Sequence, residues 1–518
     1  MQEVDSYRIK ANELDIEVSI TLTEGVLRYY VIIPFLNPGT VALMEHIKTQ
    51  LITTVAVTSS EVLEPKAVDE LKMKFRQHAA MLIKNSLPTI DEETLQFLVS
   101  VLIQETLGLD KLEYLINDDN LEEIVVVSSH EPIRVFHKKY GWLITNLTIT
   151  VESQIHNIAN IIARRIGRQV TILTPLLDAH LMSGDRANVV LFPISSKGNT
   201  ITIRRFARDP WTMTDFIQNK TIEPRLLSLM WLAIQYEMNM LISGGTASGK
   251  TTVLNICMPF IPPTQRIISI EDTRELSLPK FLYWCPLVTR DPNAEGRGGV
   301  TMLDLLVNSL RMRPDRIILG EMRKKDQAQV LFEAMHTGHS VYATLHADSL
   351  QETIDRLTHP PIEVPPNLLE AVNLTVVMFR DRRKRIRRIY QVGEFLVSED
   401  EGRTIVQPNL IYRWKPGEDK IVAHNKPLHL FEELSRRTGM SLPEIQQDLQ
   451  DKQNILMHMV KHNIRELNQV GEIMNHYYTD TDALMKKLKI SGKTKAAGED
   501  LITASENAEE KEEAEEKT

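Results

Sequence analysis

The chain has 518 residues, too many for one ordinary hydrophobic core, so we expect about three domains. Hydrophobic residues make up 42% of the chain and charged residues 25%, and the net charge of −9 gives no whole-chain argument for nucleic-acid binding. The two cysteines, Cys257 and Cys285, imply no disulfide framework and exclude a four-cysteine zinc site. No signal peptide and no apolar run of about 18 residues occurs, so no transmembrane segment is expected.

The N-terminal part of the chain is predicted to form two α+β domains. Residues 1–90 combine a strand-like run, 27–36, with two segments of helical spacing. Residues 91–206 predict a second, PAS-like α+β domain, in which an amphipathic helix at 151–171 lies between strand-like runs.

A different pattern follows these two domains. The stretch 207–225, with two prolines, is predicted to be an inter-domain linker. Residues 226–424 alternate helical and strand patterns, which favours an α/β domain with a mainly parallel sheet. Residues 425–490 are helical and rich in methionine, and the acidic residues 491–518 predict a disordered tail.

The most informative segment is a predicted strand, Met240–Ser243, followed by a glycine-bearing loop and a helix. The loop matches G-x-x-x-x-G-K-[ST], in which backbone N–H groups and the helix N-terminus bind phosphate. Lys250 would reach the β- and γ-phosphates of ATP, and the Thr251 hydroxyl would hold Mg²⁺. The alternative is a glycine-rich turn that only starts a helix. The predicted nucleotide-binding residues are Gly244, Gly245, Thr246, Ala247, Ser248, Gly249, Lys250, Thr251 and Thr252.

Two further predicted strands end in acidic residues. Glu321 follows the strand 317–319, and the strand 267–270 is followed by Glu271, Asp272 and Glu275. Ligands of open α/β sheets bind at such strand ends, where a carboxylate can orient or deprotonate a water molecule. Solvated carboxylates at a strand end are the alternative interpretation.

Three histidines, His336, His339 and His346, lie around the predicted strand 340–345. His339 and His346 are seven residues apart across that strand, which is poor spacing for two ligands of one metal. We therefore favour γ-phosphate sensing by His339 and His346 over a metal site, with purely structural roles as the alternative.

Taken together and in this order, the four segments resemble the type II/IV secretion-system ATPase family. The resemblance consists of a Walker A motif at 244–251, an Asp box at 270–275, a Walker B motif at 316–323 and a His box at 336–347. It covers roughly residues 110–400. The four-cysteine zinc insert of many bacterial secretion ATPases is absent, which favours the archaeal-like branch, whose members drive secretion, type IV pili or archaeal flagella.

The resemblance implies a C-terminal RecA-like P-loop domain in which Lys250, Glu275 and Glu321 are catalytic, with Glu275 as the general base. It also implies a homo-hexamer that holds ATP and Mg²⁺ between an N-terminal and a C-terminal domain. Arginine contacts to the phosphates would come from Arg186, Arg204 and Arg205, with Arg323 as a weaker candidate.

As a function, the resemblance implies ATP hydrolysis that drives assembly or secretion through a type II secretion or type IV pilus-like machine. The partner would be an integral-membrane platform protein, with the ATPase in the cytoplasm at the inner face of the membrane. The basic run Arg380–Arg388 is either a docking face for an acidic partner or lipid headgroups, or a solvated hairpin. The alternatives are a nucleic-acid-translocating ring ATPase, disfavoured by the net charge of −9, and a nucleotide-binding scaffold.

Overall fold

The computed structural model divides the chain into two compact units, Met1–Arg208 and Asp209–Thr518. The predicted acidic tail, 491–518, lies outside the described residues. The described ranges are 2–11, 14–34, 36–54, 65–181, 184–206, 210–290, 292, 296–384, 386–400 and 402–488.

The first unit contains a nine-stranded sheet and five helices within its described residues. The strands are β1 Gln2–Ala11, β2 Leu14–Thr23, β3 Val26–Ile32, β4 Leu121–Val126, β5 Arg134–His137, β6 Gly141–Thr145, β7 Leu176–His180, β8 Arg186–Val190 and β9 Thr200–Arg204. The helices are α1 Pro38–Thr54, α2 Pro65–Ser86, α3 Glu92–Thr106, α4 Leu112–Ile116 and α5 Glu152–Arg165.

The sheet of the first unit has the order β1-β2-β3-β6-β5-β4-β9-β8-β7. Its one parallel pair among the described strands joins β3 to β6, with Arg28 opposite Ile144, and the sheet therefore continues across the predicted boundary at residue 90. Helices α1 to α3 pack around their own apolar core, which includes Ile47, Phe75 and Leu98. The two predicted N-terminal regions thus share one sheet, because β1 to β3 extend the strands of the second region.

The described part of the second unit is built on another nine-stranded sheet. Its strands are β10 Met240–Gly244, β11 Arg266–Glu271, β12 Tyr283–Val288, β13 Arg316–Leu319, β14 Ser340–Leu345, β15 Leu374–Asp381, β16 Ile386–Asp400, β17 Arg403–Lys415 and β18 Lys420–Ala423. The α-helices are α6 Met213–Gln218, α7 Pro224–Gln235, α8 Lys250–Cys257, α9 Met302–Ser309, α10 Lys325–His336, α11 Leu350–Thr358, α12 His429–Thr438, α13 Leu442–Lys461, α14 Leu467–Thr479 and α15 Thr481–Lys487.

The strand order of this sheet is β12-β11-β13-β14-β10-β15-β16-β17-β18. The first six strands in this order are parallel, and β16 to β18 extend the sheet in antiparallel fashion. The strands β10, β13 and β14 are buried along their whole length, as parallel strands covered by helices on both faces should be. The predicted α/β class is confirmed, and the carboxyl ends of the parallel strands lie at one edge of the sheet.

The segment predicted as a linker, 207–225, is folded into the second unit from residue 210 onward. Thr212 and Asp215 form a capping box that starts α6, and Met213 and Phe216 are buried in the core of the unit. Part of the difference arises because Pro224 begins a helix rather than interrupting one: it occupies the first turn of α7, where no N–H is needed.

The predicted helical region 425–490 forms α12 to α15, of which α13 packs on α7 and α12 packs on β16. Trp231 of α7 is fully buried and stacks on Phe260 with a centroid separation of 5.0 Å. Its ring meets the edge of Tyr477 at 4.7 Å, and its Nε1 donates to the Tyr478 hydroxyl at 3.1 Å. Trp231 therefore joins the C-terminal helices to the sheet domain. None of the described helices is long and apolar enough to cross a membrane.

This junction predicts a large effect of Trp231→Ala on stability. Removing the indole leaves a cavity between Phe260 and Tyr477, so we expect the free energy of unfolding to fall by about 3–5 kcal/mol. Denaturant unfolding followed by circular dichroism would measure it. Trp211→Ala is the matched control, because the Trp211 side chain is 44% exposed. Equal losses in the two variants would contradict the assignment of Trp231 as the junction.

Candidate functional site

Four of the predicted segments meet at the carboxyl edge of the parallel strands. Their order in the sheet, β11-β13-β14-β10, brings the residues that follow these strands side by side. Ser243 is opposite Leu345, and Leu319 pairs with Ala343 on one side and Ile270 on the other. This edge is where open parallel sheets bind their ligands.

The loop between β10 and α8 curls back tightly over the end of β10. Gly244 has φ +147°, and a Cβ at that position would lie 2.7 Å from the carbonyl oxygen of Met378 and from Oγ of Ser248. Gly249, which precedes α8, is left-handed with φ +99°. Ala247 is also left-handed, with φ +58°. The glycines are required here by close approach and by backbone conformation, not only by sequence pattern.

The ammonium of Lys250 is enclosed by this loop. Its Nζ donates to the carbonyl oxygens of Gly244 at 2.9 Å and Gly245 at 3.0 Å, and it lies 3.3 Å from Nδ1 of His346. The side chain is only 8% exposed although Lys250 is the first residue of α8. The loop therefore folds around one cation.

Burial and the nearby negative charges have opposite effects on the pKa of Lys250. Burial lowers the pKa of the Lys250 ammonium, and the negative charges of Glu321, Asp348 and Glu275 partly offset this effect. Three carboxylates from separate segments thus act on the same cation.

His346 connects Lys250 to Glu321. Its Nε2 lies 3.0 Å from Oε1 of Glu321. Burial and the charge of Lys250 lower the pKa of the His346 imidazole, which Glu321 offsets in part, and the net shift favours the neutral ring. A neutral ring that accepts from Lys250 at Nδ1 and donates to Glu321 from Nε2 satisfies both contacts.

Glu321 is in turn bound to Arg323. Nη2 of Arg323 donates to Oε2 of Glu321 at 2.6 Å, and Nη1 donates to Oδ2 of Asp272 at 3.0 Å. Burial by itself would raise the pKa of Glu321, but the hydrogen bond and charge of Arg323 outweigh it and lower the pKa. Arg323, a weaker candidate for phosphate contact, therefore bridges the ends of β13 and β11 within this unit.

The segment that carries Glu275 is held by Glu271, the last residue of β11. Oε1 of Glu271 accepts from the backbone N–H groups of Glu275 at 2.9 Å and Leu276 at 3.1 Å. Glu271 is 2% exposed, and its Oε2 has no hydrogen-bond partner among the residues that the structure describes. Burial raises the pKa of this carboxyl to about 7, above its ordinary value of 4.5.

The structure separates the histidines that were predicted to act together. His346 follows β14 at the carboxyl edge, whereas His339 precedes β14 and contacts Thr337 and the carbonyl oxygen of Ala334 through Nδ1. Six strand residues at about 3.3 Å each put roughly 20 Å between the two ends. His336, at the end of α10, also lies at the edge away from Lys250.

The three predicted arginine contacts all lie in the first unit. Arg186 forms an ion pair with Asp178, and its Nε donates to Oδ1 of that residue at 2.9 Å. Arg205 donates to the carbonyl oxygen of Asp118 and, at 3.2 Å, to Oδ1 of Asp119. Arg204 is exposed at the end of β9. Their contact with phosphate stays a prediction.

The residues present fit Mg²⁺ only as a companion of bound phosphate. Among the described residues, no group of three or more His, Cys, Asp or Glu side chains is arranged to hold a metal ion. Mg²⁺ in nucleotide sites takes one or two protein ligands, with phosphate oxygens and waters as the rest. The hydroxyl of Thr251, in the first turn of α8, would be one such ligand.

Two residues that lie beside the loop, Asp348 and Arg387, were missed by reasoning from the sequence. A Cβ on Gly245 would lie 2.9 Å from Oδ1 of Asp348, which follows His346 by two residues. Nε of Arg387 donates to the carbonyl oxygen of Ala247 at 3.2 Å. Asp348 could have been found from its place after β14, but nothing near Ala247 in the sequence points to Arg387.

Comparisons with known proteins agree with the motif pattern. Residues 109–389 match the family described as type II/IV secretion system protein. An uncharacterised protein of Methanocaldococcus jannaschii is 32% identical over 487 residues, which cover 90% of this chain and 85% of that protein. The type IV secretion system protein PtlH of Bordetella pertussis is 30% identical over 295 residues, covering 51% of this chain and 86% of PtlH.

A solved structure is also similar. The ATPase DotB of Legionella pneumophila has 18% sequence identity and a TM-score of 0.39, with 70% of this chain and 93% of DotB covered. The family assignment rests on the sequence matches, which confirm the resemblance expected from the four motifs. The chain belongs to the type II/IV secretion system protein family.

Proposed function

We propose that this chain hydrolyses ATP to ADP and phosphate and so drives assembly or secretion through a type II secretion or type IV pilus-like membrane machine. The observation that supports it best is the buried ammonium of Lys250, enclosed by the glycine loop and connected through His346 to Glu321. A turn that only starts a helix does not need a cation inside it. Membership of the secretion family supports the kind of machine.

Nucleotide binding would use the loop and the start of α8. The backbone N–H groups of residues 245–252 and the positive end of α8 attract phosphate oxygens. Lys250 would exchange its contacts with the carbonyl oxygens of Gly244 and Gly245 for the β- and γ-phosphates. Thr251 would hold Mg²⁺, which neutralises phosphate charge when bound.

Hydrolysis would use the carboxylates at the ends of β13 and β11. Glu275 is the proposed general base for water, and Glu321 orients the site beside the γ-phosphate. His346 would sense the nucleotide, because its ring contacts both Lys250 and Glu321, and movement of Lys250 toward phosphate would change its contact with the ring. His339, at the opposite end of β14, has no role in the proposed reaction.

The assembly would be a homo-hexamer that acts peripherally at the inner face of the cell membrane, on an integral-membrane platform protein. Arg186, Arg204 and Arg205 are the proposed cations that close on the phosphates in that assembly. A nucleic-acid-translocating ring is the alternative, but no described feature favours it. Within the basic run Arg380–Arg388, for example, Arg387 donates to the carbonyl oxygen of Ala247 in the glycine loop.

Substitution of Lys250 and Glu321 tests the catalytic assignment. Lys250→Ala should abolish hydrolysis, whereas Glu321→Gln should still bind ATP and turn over more slowly by roughly 10²-fold or more, since it removes a positioned catalytic group. Phosphate release and binding of a fluorescent ATP analogue would measure the two effects. Glu333→Gln, an exposed change on α10, is the control and should hydrolyse ATP like the unmodified protein.

The same assay distinguishes the alternatives. Near-normal turnover in both Lys250→Ala and Glu321→Gln would contradict the proposed site. Stimulation of the unmodified protein by single-stranded DNA, but not by lipid vesicles, would favour a nucleic-acid motor. Tight ATP binding without any turnover would favour a nucleotide-binding scaffold.

Glu271 predicts a pH-dependent stability. Its pKa in the fold is about 7, against an ordinary value of 4.5, so between these values the folded protein retains a proton that the unfolded chain has released. Stability therefore falls as pH rises through this window and levels off above pH 7. The glutamine of Glu271→Gln cannot ionise. The free energy of unfolding of this variant should therefore rise, relative to that of the unmodified protein, by roughly 1–3 kcal/mol between pH 4.5 and pH 8.

Unfolding of the two proteins at pH 5 and pH 8, in about the same salt, would measure this gain. Glu333→Gln controls for the loss of one carboxylate at an exposed position. A difference between Glu271→Gln and the unmodified protein that does not change with pH would show that Glu271 is ionised in the fold throughout.

A further inference from the structure

A basic hairpin extends beyond the end of β10, next to the glycine loop. β15 pairs in parallel with β10 as far as Gly244, which is opposite Met378, and then continues to Asp381. β16 returns in antiparallel fashion, so that Arg387 is opposite Arg380. The start of β16 is therefore held beside the loop by the pairing of both strands.

Arg387 lies directly against the loop. Its Nε donates to the carbonyl oxygen of Ala247 at 3.2 Å, and its Cδ lies 3.5 Å from the position of a Cβ on Gly249. Gly249 is the residue that precedes Lys250 and α8. The Arg387 side chain therefore lies close to the N-terminus of α8. The residue is nevertheless exposed to solvent.

The neighbouring arginine shows that this placement is specific. Arg388 is 6% exposed and makes a two-pronged contact with Asp419, at 2.7 Å from Nε and 2.9 Å from Nη2. Successive strand residues point to opposite faces, so anchoring Arg388 on one face presents Arg387 on the other. The hairpin is therefore fixed by Arg388, and Arg387 is the member of the pair that faces the loop.

Arg387 approaches the loop from the side opposite to the catalytic carboxylates. Glu321 and His346 come from β13 and β14, on one side of β10, whereas Arg387 comes from β15 and β16, on the other side. The γ-phosphate end of a nucleotide would lie toward Lys250 and Glu321. The nucleoside end would then lie toward β15 and β16, where an arginine can contact a phosphate with two parallel hydrogen bonds.

We propose that Arg387 forms a second cationic subsite of the nucleotide site and contacts the α-phosphate from the β15–β16 side of the loop. The inference rests on the proposed ATP site and adds a residue outside the four motifs. It also differs from a docking role for the basic run, in which the exposed arginines of the hairpin would contribute alike to binding a partner.

The test compares Arg387→Ala with Arg382→Ala, an exposed arginine at the turn of the same hairpin. Because ATP and ADP share the α-phosphate, Arg387→Ala should weaken the binding of both by the same factor, about 10-fold or more. The kcat at saturating ATP should stay near that of the unmodified protein. Arg387→Lys should recover part of the affinity, and Arg382→Ala should bind like the unmodified protein. Isothermal titration calorimetry with Mg²⁺ present would give the affinities.

The outcomes separate this inference from the proposed function. Unchanged affinities in Arg387→Ala would overturn the subsite, as would a loss confined to ATP, which would place Arg387 at the γ-phosphate. Equal losses in Arg387→Ala and Arg382→Ala would also overturn it, because they would reflect only the charge of the hairpin. If Arg387→Ala lowered kcat and the melting temperature without changing affinity, the residue would only support the loop. Absence of nucleotide binding by the unmodified protein would contradict the proposed function itself.

Discussion

The buried ammonium of Lys250 is the constraint on which the arrangement of the second unit depends. A cation removed from water is unfavourable unless oxygen or nitrogen acceptors surround it. Here they come from the carbonyl groups of Gly244 and Gly245 and from the ring of His346. The loop turns back at Gly244, where the Met378 carbonyl oxygen leaves no space for a side chain. The position that requires glycine and the acceptors of the Lys250 ammonium thus belong to the same loop.

A chain of polar contacts spreads from this cation across the strand ends. Lys250 contacts His346, which contacts Glu321, and Arg323 binds Glu321 and Asp272 together. The contacts Lys250–His346, His346–Glu321 and Arg323–Asp272 each connect the ends of different strands, so a change at Lys250 can alter contacts as far as β11. Arg323 compensates the charge of Glu321. If a ligand displaced either side chain, the charge of the other would lose this partner.

Local patterns in the sequence were enough to predict the loop and the residues at the strand ends. They were not enough to predict which of these residues lie close together. The glycines, Lys250 and the strand before them specify the loop because all belong to one turn. His339 and His346 look equivalent in the sequence, since each is next to the same apolar strand. The strand between them separates the two side chains, but which of them lies beside Lys250 depends on the direction of β14 in the parallel sheet, which that segment alone does not encode. Likewise, the prolines of 207–225 suggested a linker, but the burial of Met213 and Phe216 depends on a core formed elsewhere.

Arg387 illustrates the same limit at longer range and shows what the antiparallel extension contributes. It is 140 residues from Ala247 in the chain, so pattern reasoning treated it as one charge in a basic run. Its place beside the loop depends on Asp419, which binds Arg388, and on the backbone N–H of Ile389, which donates to the carbonyl oxygen of Thr221 at 3.0 Å. The strands after β15 are therefore more than an addition to the sheet. They hold Arg387 against the glycine loop, and the sequence of the loop itself does not specify this contact.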